Sequence, residues 1–332
     1  MQSIIKIGTR ESELAVWQAT QVKELLQQHG NASELVYVKS EGDIDLHTPL
    51  YEMGVQGIFT RSLDTALLND KIDIAVHSMK DVPTQLPNGI VQAAVLKRGN
   101  YKDLFVVNSE WLKVNSENKE SNIYSEAFLE SLKDSNISPL TINHSPITIA
   151  TSSIRRKAQW LHRYPGSSIE NIRGNVNTRL QKVAASKWQG AIFAAAGLER
   201  INKRPANAIE LDWMLPAPAQ GAVMVAARQN DENILNAVSK LNDTVTAICT
   251  KAERDFLRQL LGGCSTPISA LAQVNGQQFY FQGNIFSLDG RKKVAVEKTV
   301  DLKNAEGLGK MMAEELLNNG GKEIAESIRN AK

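Results

Sequence analysis

Residues 4–39 read IIKIGTRESELAVWQATQVKELLQQHGNASELVYVK, and this stretch decides the fold. IIKIG (4–8) is a short apolar run of strand length. A helical pattern follows, from Ser12 to about His29, with Ser12 as N-cap, Leu14, Trp17, Val22 and Leu25 as the buried stripe, and Gly30 as the stop. ELVYVK (34–39) returns as a second apolar run. The cycle repeats with a helix from Thr60 to Asn69 and the runs IDIAVH (72–77) and VQAAVL (91–96). Strands alternating with helices predict an α/β unit with a mainly parallel sheet.

The texture then changes. Residues 108–145 are rich in Asn, Ser, Lys and Glu around one amphipathic piece, IYSEAFLESLKD (123–134), which predicts an exposed insertion or linker. A second α/β unit follows: ITIAT (147–151), a helix from Ser153 to about Arg163, SIENIRG (168–174), a helix from Asn175 to about Lys187, and GAIFAAAG (190–197). A third unit runs from roughly Asp243 to the end. It opens with a helix, passes a glycine loop, and continues as hairpin strands around Asn275-Gly276 and Asp289-Gly290, with a helix from about Ala305 to Asn318 stopped by Asn-Gly-Gly.

The chain has 332 residues, with 38 Lys and Arg against 36 Asp and Glu, so no global charge calls for nucleic acid or a membrane surface. No apolar stretch approaches the ~18 residues of a membrane span. The first residues show no signal-peptide pattern, and the two cysteines fit a reducing cytoplasm.

Ligands of open α/β sheets settle beyond the carboxyl ends of the strands. Arginine recurs at those turns: Arg10 after the first run, Arg155 and Arg156 after Ser152-Ser153, and Arg173 and Arg179 in RGNVNTR. Read singly, each fits a salt bridge. Arg155 and Arg156 also stand in the first turn of a helix, where the dipole disfavours a cation by ~0.3–1 kcal/mol. Five arginines so placed in two units point to a cleft for a polyanion, and guanidinium suits carboxylates in particular. His77-Ser78-Met79-Lys80-Asp81 ends another run. Lys80 and Asp81 could be a plain ion pair. Among arginines, Asp81 would be a rare negative charge, suited to stabilising a cationic intermediate or moving protons.

LLGGCSTPI (260–268) sets Cys264 on a bare glycine loop, open to metal, redox or nucleophilic work, whereas Cys249 in TAICTKAERDFL reads as packing. There is no phosphate-binding glycine motif, no metal-ligand spacing among the five histidines, and no nucleophile elbow at Ser78.

GTRESELAVWQA, VHSMKDVP, TSSIRR, IRGNVNTRL, AAAGLERI, LPAPAQGA and GGCSTPI, in this order, resemble the signature segments of the porphobilinogen deaminases, or hydroxymethylbilane synthases. The likeness covers nearly all of the chain outside 108–146. It implies two periplasmic-binding-type α/β domains plus a smaller α+β C-terminal domain. Residues 1–103 with 216–240 form the first, 104–215 the second and 243–332 the third, with crossovers near Leu104 and Leu215. It further implies a cytoplasmic monomeric transferase that joins four porphobilinogens head to tail, losing ammonia each time, onto a dipyrromethane cofactor, and then hydrolyses off the linear tetrapyrrole.

On that resemblance Cys264 holds the cofactor as a thioether and Asp81 matches the catalytic carboxylate. Lys80, Ser78, Ser153, Arg155, Arg156 and Arg173 are its cofactor contacts. Arg10, Ser12, Gln18, Phe59, Arg179, Arg200 and Gln220 match the substrate side. Three departures stand out. Gln56 replaces the usual lysine of GVQGIF, where Arg61 could compensate; His47 replaces a common aspartate; and 108–146 is longer than usual. A non-catalytic two-lobed anion-binding protein would explain the arginines, but neither Asp81 nor the exposed thiol.

Overall fold

The computed structural model describes residues 4–39, 60–116, 128–133, 147–260 and 266–330, with residues 114–116 described as backbone only. The opening stretch folds as read: strand β1 (Ile5–Thr9), helix α1 (Glu13–Gln28) and strand β2 (Ser33–Tyr37), which lies parallel to β1 with Ile7 opposite Leu35. Ser12 is the N-cap and accepts a hydrogen bond from Ala15 N at 3.4 Å. The buried stripe is shifted from the expected one. Ala15, Gln18, Ala19, Val22 and Leu26 are buried, while Leu14 and Trp17 are half-buried and turn toward the second unit.

Helix α2 (Arg61–Leu68) leads to β3 (Ile74–Ser78), and β4 (Ile90–Val95) completes the first stretch of chain. The chain then crosses over. Strand β5 (Asp103–Val107) opens a second sheet, followed by α3 (Ser109–Ser116) and the helical residues 128–133, here α4. Next come β6 (Thr148–Ala150), α5 (Ile154–Arg163), β7 (Ser168–Glu170), α6 (Val176–Ala184), β8 (Gly190–Ala194), α7 (Ala195–Glu199) and β9 (Ala208–Glu210). The chain returns to the first sheet as β10 (Val223–Arg228) and α8 (Glu232–Ser239).

The two sheets share one plan, with orders β2-β1-β3-β10-β4 and β7-β6-β8-β5-β9. In each, one strand runs against its neighbours, and that strand is the first after a crossover: β10 pairs antiparallel with β3 and β4, and β5 with β8 and β9. Helix α9 (Thr244–Gln259) opens the third unit. Its meander β11 (Ile268–Asn275), β12 (Gln278–Phe286) and β13 (Lys293–Asp301) is covered by α10 (Leu308–Leu316) and α11 (Lys322–Asn330). The fold is thus two α/β units and a smaller α+β unit.

Two expectations need correction, and a third needs extending. The apolar run 190–197 is not one strand: it divides into β8 and α7 at Ala195. Asn-Gly-Gly does stop the helix that starts with α10, with Asn319 and Gly320 non-helical and Gly320 at φ +100°, but the chain does not end there in loop: a second helix, α11, follows at once. Part of the supposed exposed insertion is core. Phe128, Ser131 and Leu132 of α4 are buried, and Phe128 meets Phe105, Trp111, Trp160 and Tyr164 edge-on. Its apolar face follows from the spacing of Phe128 and Leu132, one helical turn apart.

Candidate active site

Helices α1, α5 and α6 begin directly beyond the carboxyl ends of β1, β6 and β7, each capped by a side chain: Ser12, Ser153 and Asn175. Ser153 accepts from Arg156 N at 3.4 Å and Asn175 from Thr178 N at 3.0 Å. At the matching end of β3, a single 3-10 turn, Met79–Asp81, presents Lys80 and Asp81. Strand direction therefore gathers Ser12, Lys80 and Asp81 at one edge of the first sheet and Ser153 and Asn175 at one edge of the second.

The charges there act on one another. Burial pushes the Lys80 ammonium down to about 8; Asp81 and Asp103 oppose this, while Arg156 and Arg155 add to it. Burial likewise pushes Arg179 down to about 10, with Arg156 and Arg173 adding to the effect and Asp81 opposing it. Lys80 and Asp81 from the first unit thus share a field with Arg155, Arg156, Arg173 and Arg179 from the second. His77, buried behind the turn, is held neutral, its value pushed to about 4 by burial and by the charge of Arg10.

Asp103, which the sequence reading passed over, organises the centre. It is fully buried at the head of β5. Its Oδ2 accepts from Arg155 Nη2 at 2.7 Å, and its Oδ1 accepts from Arg156 Nη2 at 2.7 Å and Nε at 3.1 Å. Gln220 Nε2 adds a fourth bond at 2.8 Å. Burial alone would raise the Asp103 carboxyl, but the two guanidiniums outweigh it and hold it below the usual carboxylate range. Arg155 Nη1 also donates to Leu215 O at 2.6 Å and Arg156 Nη1 to Ile192 O at 2.9 Å. The signal for Asp103 was a lone carboxylate heading the apolar run DLFVV.

The remaining expected residues divide. Gln18 and Ser78 bond each other, Nε2 to Oγ at 2.9 Å. Arg200 lies over the Trp17 ring at 5.5 Å and donates to Gly221 O at 2.7 Å, so it spans the two units. Gln220 sits in the return crossover and bonds Tyr101 O and Asp103. Phe59, Gln56, His47 and Cys264 lie outside the described residues. Cys249 is buried on α9, and burial, with Glu253 nearby, pushes its thiol up to about 12, which leaves it inert. Among the described residues, no group of His, Cys, Asp and Glu could hold a metal, and no helix is long and apolar enough to cross a membrane.

Fold and charge together define a two-lobed α/β protein whose lobes converge on a cluster of buried cations beside one loop carboxylate. Residues 5–236 match the family model described as porphobilinogen deaminase, dipyromethane cofactor binding domain, and residues 247–318 match the porphobilinogen deaminase C-terminal domain. The chain belongs to the porphobilinogen deaminase family. It is 35% identical over 335 residues to the porphobilinogen deaminase of Acidithiobacillus ferrooxidans, covering 100% of both chains. It is 35% identical over 333 residues to that of Desulforamulus reducens, covering 99% of both. Among solved structures, the methionine-binding protein MetQ aligns with 71% of this chain and 89% of its own at a TM-score of 0.40 and 11% identity.

The family's dipyrromethane cofactor carries carboxylates, and the donors present suit it. Arg155 and Arg156 share one carboxylate, Asp103, and their side chains are only 6% and 7% exposed, so one cationic charge of the pair is left uncompensated by it. Arg155 Nε is buried with no hydrogen-bond partner among the described residues. Both observations favour an added anion.

Proposed function

We infer that the protein polymerises four porphobilinogen molecules head to tail onto its covalently bound dipyrromethane cofactor, with loss of ammonia at each addition, and then hydrolyses off hydroxymethylbilane for tetrapyrrole and haem biosynthesis. The observation that carries this reading is family membership over the full chain, with the Lys80-Asp81 turn set against the arginines of the second unit. When bound, the dipyrromethane cofactor supplies the pyrrole to which new units are added.

In this reading Cys264 anchors the cofactor, and Lys80, Ser78, Ser153, Arg155, Arg156 and Arg173 hold its side of the site. Arg10, Ser12, Gln18, Phe59, Arg179, Arg200 and Gln220 serve the incoming substrate, several of them by shaping the walls through the bonds described above. Asp81 is the catalytic carboxylate. Set among cations that bind acetate and propionate groups, it stabilises positive charge on a pyrrole ring and holds the proton that must be moved. Three units follow the same proposal: 1–103 with 216–240, 104–215, and 243–332. A monomer in the cytoplasm completes it, on the family likeness and the scarcity of cysteine.

Intact-mass spectrometry of the purified protein tests the anchor, and turnover tests the carboxylate. The wild type should carry a covalent adduct that Cys264→Ser lacks while keeping its circular dichroism. Asp81→Ala should carry the adduct and form product far more slowly. An unmodified, active wild type would overturn the anchor, and near-normal turnover of Asp81→Ala would overturn the role of Asp81.

A further inference from the structure

The turn that presents Asp81 is gripped from outside its own lobe. Arg254, on α9, donates Nη1 to Met79 O at 3.3 Å and to Val82 O at 2.9 Å, and Nη2 to Pro83 O at 2.6 Å. One guanidinium thereby gathers three main-chain carbonyls that flank Asp81 on both sides. Its rigid fork suits that task, and a lysine ammonium on its flexible stem would not reproduce it. Burial pushes Arg254 down to about 10, so it stays cationic at neutral pH.

The helix behind Arg254 is itself fixed. The adjacent Glu253 is fully buried and bonds Arg98 of the outgoing crossover, Ala219 N of the return crossover at 2.6 Å and Ala272 N of β11 at 2.8 Å. Two neighbouring residues of α9 therefore have different tasks. Glu253 ties the helix to both crossovers, and Arg254 refers the Asp81 turn to that fixed point. The turn has further ties in Met79 N to Ala222 O at 3.0 Å and Val82 N to Met79 O at 3.2 Å. Neither reaches beyond Val82 toward Pro83.

We propose that Arg254 is a positioning residue for Asp81: its three carbonyl bonds hold the turn so that the Asp81 carboxylate keeps its working place opposite the arginines. The proposal rests on the reading of Asp81 as the catalytic carboxylate. A displacement of ~1 Å in a reacting group can cost up to about 100-fold in rate. Binding of substrate carboxylates, which is the work of other side chains, should change little.

The test compares wild type, Arg254→Met, Arg254→Lys, Asp81→Asn and the double variant Arg254→Met with Asp81→Asn, each checked by intact mass for the cofactor adduct. Arg254→Met should lower kcat on the order of 10- to 100-fold, with KM for porphobilinogen within about twofold and the adduct fully present. Arg254→Lys should fall between, and it carries the test if the methionine variant does not fold. In the Asp81→Asn background, Arg254→Met should cost less than about twofold more, because its effect passes through a carboxylate already gone. Wild-type kcat in both Arg254 variants would overturn the proposal, as would losses that multiply in the double variant. Wild-type turnover of Asp81→Asn would instead remove the reading of Asp81, and this proposal with it.

Discussion

Arg98 and Glu253, 155 residues apart in the chain, meet in two parallel hydrogen bonds of 2.6 and 3.1 Å, and the glutamate side chain is wholly shut off from solvent. The pair joins the outgoing crossover to α9. Arg98 also donates Nε to Gln220 O at 2.8 Å on the return crossover and lies over the Tyr101 ring. One buried ion pair thus ties both crossover segments of the first unit to the third unit.

Breaking such a pair from one side strands a buried charge. Glu253→Gln leaves Arg98, 11% exposed, without its anion. A loss of about 3–5 kcal/mol is expected in urea unfolding. Arg98→Met together with Glu253→Leu should lose less than the sum of the single changes, since no lone charge remains. A loss below about 1 kcal/mol for Glu253→Gln would show that solvent reaches the pair.

Gly309 on α10 lies directly against the main chain of Ala252 on α9, so close that a Cβ would collide with the Ala252 carbonyl. No rotamer can relieve a clash with main chain. Gly309→Ala should push α10 from α9 and cost about 1–3 kcal/mol by thermal unfolding, although alanine is the better helix former by about 1 kcal/mol. A stabilised variant would mean that the helices separate without loss of packing.

How far these features could be read from sequence depends on their range. The Ser12 cap and the run of β1 were legible because both are local. The stripe of α1 was misplaced because Leu14 and Trp17 look like core, while their partners are Gly197 and Arg200 of the other unit. Strand β10 joins β3 only after the whole second sheet has been made, and nothing in VMVAAR states its partner. The arginine turns were visible as a pattern, whereas Asp103 was not, because its partners stand 52 and 53 residues away. A buried face at Thr246, Cys249, Thr250 and Glu253 on α9 was there to be read from helical spacing, and it would have flagged Glu253.

Lys80 offers a test by pH. Its folded value, about 8, lies below the 10.5 of a free lysine, so the folded protein releases this proton more readily than the unfolded chain. The sign follows: Lys80 adds stability above about pH 10.5, and that contribution is lost as pH falls through about 8. At neutral pH the side chain is therefore a charged group whose burial a carboxylate partner, such as those of the cofactor, would offset. Loading of the cofactor-free protein should accordingly slow as pH goes from 7 to 9, with a midpoint near 8 and a span of about fivefold from the lost attraction. Lys80→Met should load at the slower rate throughout and lose this inflection, whereas Arg179, pushed down only to about 10, stays largely charged across the range. A wild-type loading rate that is flat between pH 7 and 9 would place Lys80 outside the carboxylate-binding set and leave that work to the arginines.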